Sequence, residues 1–230
     1  MNAESIIFDM DGTLWDSSEN VAASWSETIR SSGDPLLRNK TITGSDLRSV
    51  MGMTMVEIAA KLFPELTETR RIDILEKCGE NEKNYLAANG GELYPQLEET
   101  LSALSKNHRL FIVSNCQNGY IEAFFEYYSL ERYFTDYLCW GDTHKPKSET
   151  LKLIMQKNHC TSAVYVGDTQ GDFDAASAAG IPTSARRQPS AVFWAVRVRG
   201  SISPVCRFCI VTVKVRFSAV SSVMVTLSAS

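Results

Sequence analysis

No acidic residue follows Asp174, although the chain has 27 aspartates and glutamates in its 230 residues. No run of about 18 consecutive apolar residues occurs either. Arg197, Arg199, Arg207, Lys214 and Arg216 interrupt the valine-rich C-terminal stretch, so no membrane association is expected. A basic leader, a long apolar segment and a small-residue cleavage site are all missing ahead of Ile6, Ile7 and Phe8, so secretion is not expected and a cytoplasmic location is. The six cysteines are scattered, which fits reduced thiols. Cys206 and Cys209 form a lone CxxC, but His108, His144 and His159 are isolated and distant, so no zinc site is expected. No recognition module accompanies the basic residues of the tail, and no nucleic-acid partner is expected. What remains is 44% hydrophobic and 22% charged, the composition of a globular protein with one core and room for a smaller domain.

To about residue 183 short apolar runs alternate with amphipathic ones. That pattern predicts an α/β fold, a Rossmann-like, doubly wound parallel sheet with helices on both faces. Four strands are expected at 5–8, 109–113, 137–140 and 163–166. Between the first and second lie about 80 residues that read as helix after helix with no strand, an inserted all-helical domain. Val21, Ala22, Trp25 and Ile29 share one helical face that Gly33 ends. Thr54 and Glu57 have capping-box spacing. Ile72, Leu75, Tyr85 and Leu86 line a longer helix closed by Gly90 and Gly91. Residues 120–128, 146–157 and 172–179 read as further helices, with Pro146 in a first turn and Gly180 as a stop. The expected domains are a core of 1–15 and 93–183, a helical cap of 16–92, and an anomalous tail of 184–230.

The tail is basic, rich in Val, Arg and Ser, and free of acids. An ordinary segment of that length would hold about five acids. Valine-rich alternation without acidic gatekeepers also favours β-aggregation. The expectation is an out-of-frame or otherwise altered coding segment; a basic extension for an acidic partner is the alternative.

The first expected strand runs into Asp9-Met10-Asp11-Gly12-Thr13. Two carboxylates so close to a buried apolar run repel one another unless they share a cation or one holds a proton. Phosphoryl transfer can use both states, with one carboxylate as nucleophile and the other as proton donor and then base. The second strand ends in Ser114-Asn115, whose hydroxyl and N–H groups can hold phosphate oxygens. Lys145-Pro146 follows the third strand and supplies an ammonium. Gly167-Asp168-Thr169-Gln170-Gly171-Asp172 follows the fourth and supplies two more carboxylates. In such sheets these strand ends are where a ligand binds.

These segments, in this order, resemble the haloacid dehalogenase superfamily over about residues 4–183, most closely its phosphoglycolate phosphatase-like branch with a helical cap. The resemblance implies an Mg2+-dependent phosphatase that hydrolyses a small phosphorylated metabolite, phosphoglycolate-like, through an aspartyl-phosphate. It implies Asp9 as nucleophile, Asp11 as general acid and base, and Lys145 as the motif lysine. Thr13, Ser114 and Asn115 would bind substrate. Asp9, the Asp11 backbone carbonyl and Asp168 would hold the metal, with Asp172 behind them or acting through water.

Dehalogenases and phosphonatases of the superfamily lack the second motif carboxylate, so Asp11 favours phosphoryl chemistry. A phosphomutase of the β-phosphoglucomutase type shares both acids; Thr13 leans towards hydrolysis. An impaired binding protein that keeps the fold is the other alternative. The family places a fifth strand and a last helix after Gly180-Ile181-Pro182, and the tail resembles neither.

Overall fold

The computed structural model of the chain describes residues 3–51 and 53–181. The 184–230 tail, with Cys206 and Cys209, lies outside the described residues.

Strand β1 (Ser5–Phe8) is buried along its whole length, as expected of a central strand covered on both faces. Its neighbours are β4 (Arg109–Ser114) on one side and β6 (Ala163–Val166) on the other, with β5 (Asp136–Cys139) beyond β4. All three pairings are parallel, Phe8 standing opposite both Ile112 and Val166. Alternate residues of β1 enter different cores. Ile6 and Phe8 join Leu110 and Ile112 on one face; Ile7 joins Phe111, Val113, Leu151, Ile154 and Tyr165 on the other. The sheet is thus wound on both sides, as the alternating pattern predicts.

The first face is covered by α5 (Leu97–Leu104) through Leu97 and Leu101 and by α6 (Tyr120–Tyr128) through Ile121, Phe124 and Phe125. The second is covered by α8 (Lys147–Lys157) and α9 (Gln170–Ala178). Helix α5 is not anticipated by the sequence reading. Strand β5 ends one residue earlier than expected, because the Cys139 N–H donates to Asp142 Oδ2 at 2.9 Å and starts the short α7 (Trp140–Thr143). Pro146 is the N-cap of α8, so the first helical residue is Lys147.

The long insertion contains α1 (Ser18–Ser31), α2 (Gly44–Arg48), α3 (Met55–Leu62) and α4 (Glu68–Asn89). The Thr54–Glu57 box is formed, with Glu57 N–H donating to Thr54 Oγ1 and the Thr54 N–H donating back to Glu57 Oε2 at 2.8 Å. Gly90, at φ +67°, ends α4. The expectation of no strand here needs correction. Strand β2 (Trp15–Asp16) pairs antiparallel with β3 (Glu92–Leu93), Asp16 opposite Glu92. Two residues are too few to show a period, and the pair forms because the chain leaves the sheet and returns to it at one place.

Candidate active site

The parallel strands point their carboxyl ends at one rim, and the loops that follow gather the acids. Asp9 N–H donates to Val166 O at 2.8 Å, which carries the β1–β6 pairing one residue past the strand and fixes the Asp9 backbone. The next residues turn back at once, with the Thr13 and Leu14 N–H groups both reaching Met10 O. Gly12 sits in this turn at φ +79°, and a Cβ there would fall 2.4 Å from Asp168 Oδ2. Only glycine satisfies both demands.

Asp9 is only 5% exposed. Lys147 Nζ donates to Asp9 Oδ1 at 2.9 Å and to Asp172 Oδ1 at 2.7 Å, itself buried. The Tyr165 hydroxyl also donates to Asp172 Oδ1, at 2.9 Å, while Oδ2 accepts from Thr169 N and Oγ1. Both Asp172 oxygens are therefore occupied by protein groups, and Asp172 also caps α9. Oxygens of Asp9, Asp168 and Asp172 lie within 4.8 Å of one another. One ammonium faces three carboxylates, so the cluster carries excess negative charge. Burial, with Asp172 nearby, pushes Asp9 up to about 8 against the pull of Lys147. Asp168, at the rim, is raised to about 6 by partial loss of solvent and by the Asp172 charge. An all-oxygen, electron-rich cluster of this kind suits a hard divalent cation.

The Asp11 carboxylate turns elsewhere. Its Oδ1 accepts from Trp15 Nε1 (3.1 Å), Ser17 Oγ (3.0 Å) and the Tyr120 hydroxyl (2.7 Å). Burial raises its pKa nevertheless, outweighing these three donors. The two acids of the first motif thus occupy different surroundings, one held by an ammonium and the other by neutral donors.

Lys145 requires correction: it is exposed, and the ammonium at Asp9 belongs to Lys147. Pro146 separates the two lysines and caps the helix, so only the second is on the helix and in phase with its buried side. The missed signal was periodic. Lys147, Thr150, Leu151 and Ile154 are the buried residues of α8, at the spacing of one helical face.

Of the phosphate-binding candidates, Ser114 and Asn115 line the cavity that Asp9 also lines, and Thr13 stands in the turn just after Asp9. Ser114 is buried at the end of β4, its Oγ accepting from Cys116 N at 3.3 Å. Thr13 is also buried, and its Oγ1 has no hydrogen-bond partner among the described residues. A buried hydroxyl in that state is a ready donor for a ligand oxygen.

A cavity of about 100 Å³ opens over Asp9, Asp11, Ser114 and Lys147. Its other walls come from the insertion, among them Val21, Trp25, Leu47, Met51 and Met55, and from the segment after β4, with Gln117 and Tyr120. Sequence reading also missed Glu82 of α4, which lines this cavity at 9% exposure. Trp25 Nε1 donates to its Oε2. Burial, with the Asp11 charge adding, pushes Glu82 up to about 8. On a helix of charged residues it reads as one more solvated acid.

Comparison with known proteins agrees with this geometry. The family model for haloacid dehalogenase-like hydrolases matches residues 6–185. Phosphoglycolate phosphatase of Salmonella typhi is 26% identical over 208 residues, covering 79% of this chain and 80% of its own. That of Vibrio parahaemolyticus is 27% identical over 187 residues, covering 76% and 79%. Among solved structures, a haloacid dehalogenase-like protein of Bacteroides fragilis superposes with a TM-score of 0.66 at 25% identity, over 78% of this chain and 85% of the other. A haloacid dehalogenase-like family hydrolase of Streptococcus pneumoniae gives a TM-score of 0.62 at 21% identity, over 77% and 81%. With its sheet order, its paired first-motif acids and a family match across most of its length, the chain belongs to the haloacid dehalogenase-like hydrolases.

Proposed function

We propose that the protein is a phosphatase that hydrolyses a small phosphate monoester through an aspartyl-phosphate on Asp9, with residues 16–92 as a cap over the site. The observation that carries this reading is the division of labour between the two first-motif acids. Asp9 lies on the cavity floor against Lys147, while Asp11, two residues on, is held by neutral donors. The named activity of the curated relatives, phosphoglycolate phosphatase, agrees with it.

In the first step the Asp9 carboxylate attacks phosphorus and the bond to the leaving oxygen breaks. Asp11 gives its proton to that oxygen, so the product leaves as a neutral alcohol. In the second step the Asp11 carboxylate takes a proton from water, whose oxygen attacks phosphorus. The bond to Asp9 breaks, and inorganic phosphate leaves. Lys147 holds Asp9 in place throughout and lowers the repulsion between an anionic nucleophile and an anionic ester. Thr13 Oγ1 and Ser114 Oγ donate to the phosphoryl oxygens. A divalent cation, magnesium in this reading, would be held by Asp9, Asp168 and the Asp11 backbone carbonyl, with Asp172 behind them, and would neutralise phosphoryl charge.

Replacing the nucleophile tests the reading. Asp9→Asn should lower kcat for phosphate release at least ~10³-fold, with the fold retained by circular dichroism. Activity within tenfold of the unaltered protein would remove Asp9 from its role.

A further inference from the structure

The wall of the cavity opposite Asp9 has a chemistry that bears on which alcohol leaves. Apart from Lys147, no lysine, arginine or histidine lines the cavity among the described residues, and Lys147 is held between Asp9 and Asp172 at the phosphoryl end. The nearest guanidinium by sequence, Arg48 beside Leu47, is not a lining group; it is paired with Asp16 and Glu19, and its one contact with the lining is a hydrogen bond to Ser18 Oγ. Apart from Asp9 and Asp11, the lining is mainly aliphatic and thioether, with neutral polar side chains such as Ser17, Ser18, Gln117 and Tyr120, and its one further carboxyl is Glu82. Trp25 engages Oε2 of Glu82, while Oε1 accepts no hydrogen bond among the described residues.

A carboxylate on the leaving group would lose its water there without meeting a cation. If Glu82 is ionised it repels that group; if Glu82 is protonated it still supplies no positive charge. A hydroxyl meets no such obstacle, since it can donate to or accept from the free Glu82 oxygen in either state. Burial, which holds Glu82 near neutrality up to about 8, is in keeping with a neutral partner.

We infer that Glu82 is a specificity-determining residue, and that the site selects phosphate monoesters of small, uncharged, hydroxyl-bearing alcohols and discriminates against leaving groups that carry a carboxylate. This rests on the phosphatase reading above and narrows its substrate. It also sets the chain apart from the named substrate of its curated relatives.

The test is a comparison of kcat/KM on the full chain with magnesium, using glycerol 3-phosphate, 2-phosphoglycolate, phosphoethanolamine and p-nitrophenyl phosphate. Glycerol 3-phosphate should exceed 2-phosphoglycolate by about 10-fold or more, in the range that one hydrogen bond and one misplaced charge can supply. Glu82→Leu should erase most of that preference by lowering the glycerol 3-phosphate value, and Glu82→Gln, which keeps both hydrogen-bonding roles, should preserve it. A preference for 2-phosphoglycolate, or for the cationic phosphoethanolamine, overturns the inference and leaves the phosphatase reading intact. A preference for glycerol 3-phosphate that survives Glu82→Leu unchanged overturns the role of Glu82. Failure to hydrolyse any of the four, p-nitrophenyl phosphate included, removes the phosphatase reading and the inference together.

Discussion

Two lysines flank Pro146, and they differ in everything but side-chain chemistry. Lys145 faces solvent, while Lys147 is buried between two carboxylates. Removing one partner of a buried ion pair strands the others, typically at a cost of about 3–5 kcal/mol. Lys147→Met should therefore lower both stability and kcat, the latter by ~10²-fold or more, whereas Lys145→Met should stay within about 0.5 kcal/mol in stability and leave kcat unchanged. Denaturant titration and steady-state kinetics on the two variants distinguish these sites; equal loss in both would contradict the assignment. The sequence makes Asp9, Asp11, Asp168 and Asp172 legible because each follows an apolar strand at a fixed remove. It hides the lysine because the decision depends on where α8 begins, and a proline can stand at the cap or inside the first turn. Glu82 is hidden for another reason. Its burial comes from Trp25 on a different helix, and no local pattern in α4 records that contact.

Helix α9 carries site chemistry in its first turn. Thr169 Oγ1 accepts from Asp172 N at 3.1 Å, and the same hydroxyl donates to Asp172 Oδ2 at 2.7 Å, so one box both starts the helix and orients an acid of the cluster. Thr169→Ala should cost about 1 kcal/mol through the lost cap. It should also lower kcat about 10-fold by freeing Asp172 to reorient beside Lys147. Unfolding and turnover measured on one sample check both parts, and a stability loss with full activity would show that Asp172 needs no such support. Elements marked by an unbroken apolar run or by a helical period are the ones the sequence discloses: β1, β6 and α6 fall at their expected limits. The capping-box spacing likewise locates the start of α3. The five-residue α2 and the two-residue β2 and β3 hold too few residues for a period, and tertiary contact decides them.

The carboxylates of Asp9, Asp168 and Asp172 gathered at one rim make the folded chain a better ligand for a divalent cation than the unfolded chain, in which Asp9 is far in sequence from the other two. A ligand present at 100 times its Kd adds ~2.7 kcal/mol to folding stability. For a chain of this size that amounts to a rise in Tm on the order of 5 °C or more. Magnesium should give that rise in calorimetry, EDTA should reverse it, and Asp168→Asn should abolish most of it; a Tm indifferent to magnesium in the unaltered protein would remove the cation site. At this scale the layered α/β plan follows from alternating strand and helix patterns, and the sequence also anticipates a long helical insertion. It does not disclose how that insertion is joined to the sheet. Asp16 and Glu92 face each other across the β2–β3 ribbon, so everything between them is, to the sheet, the loop of a single hairpin. Loop-closure entropy grows only slowly with length. A module mounted in this way can lengthen, shrink or be exchanged between relatives without shifting the register of any strand behind Asp9. New selectivity can thus be acquired on one side of the ribbon while the reaction on the other side is inherited unchanged.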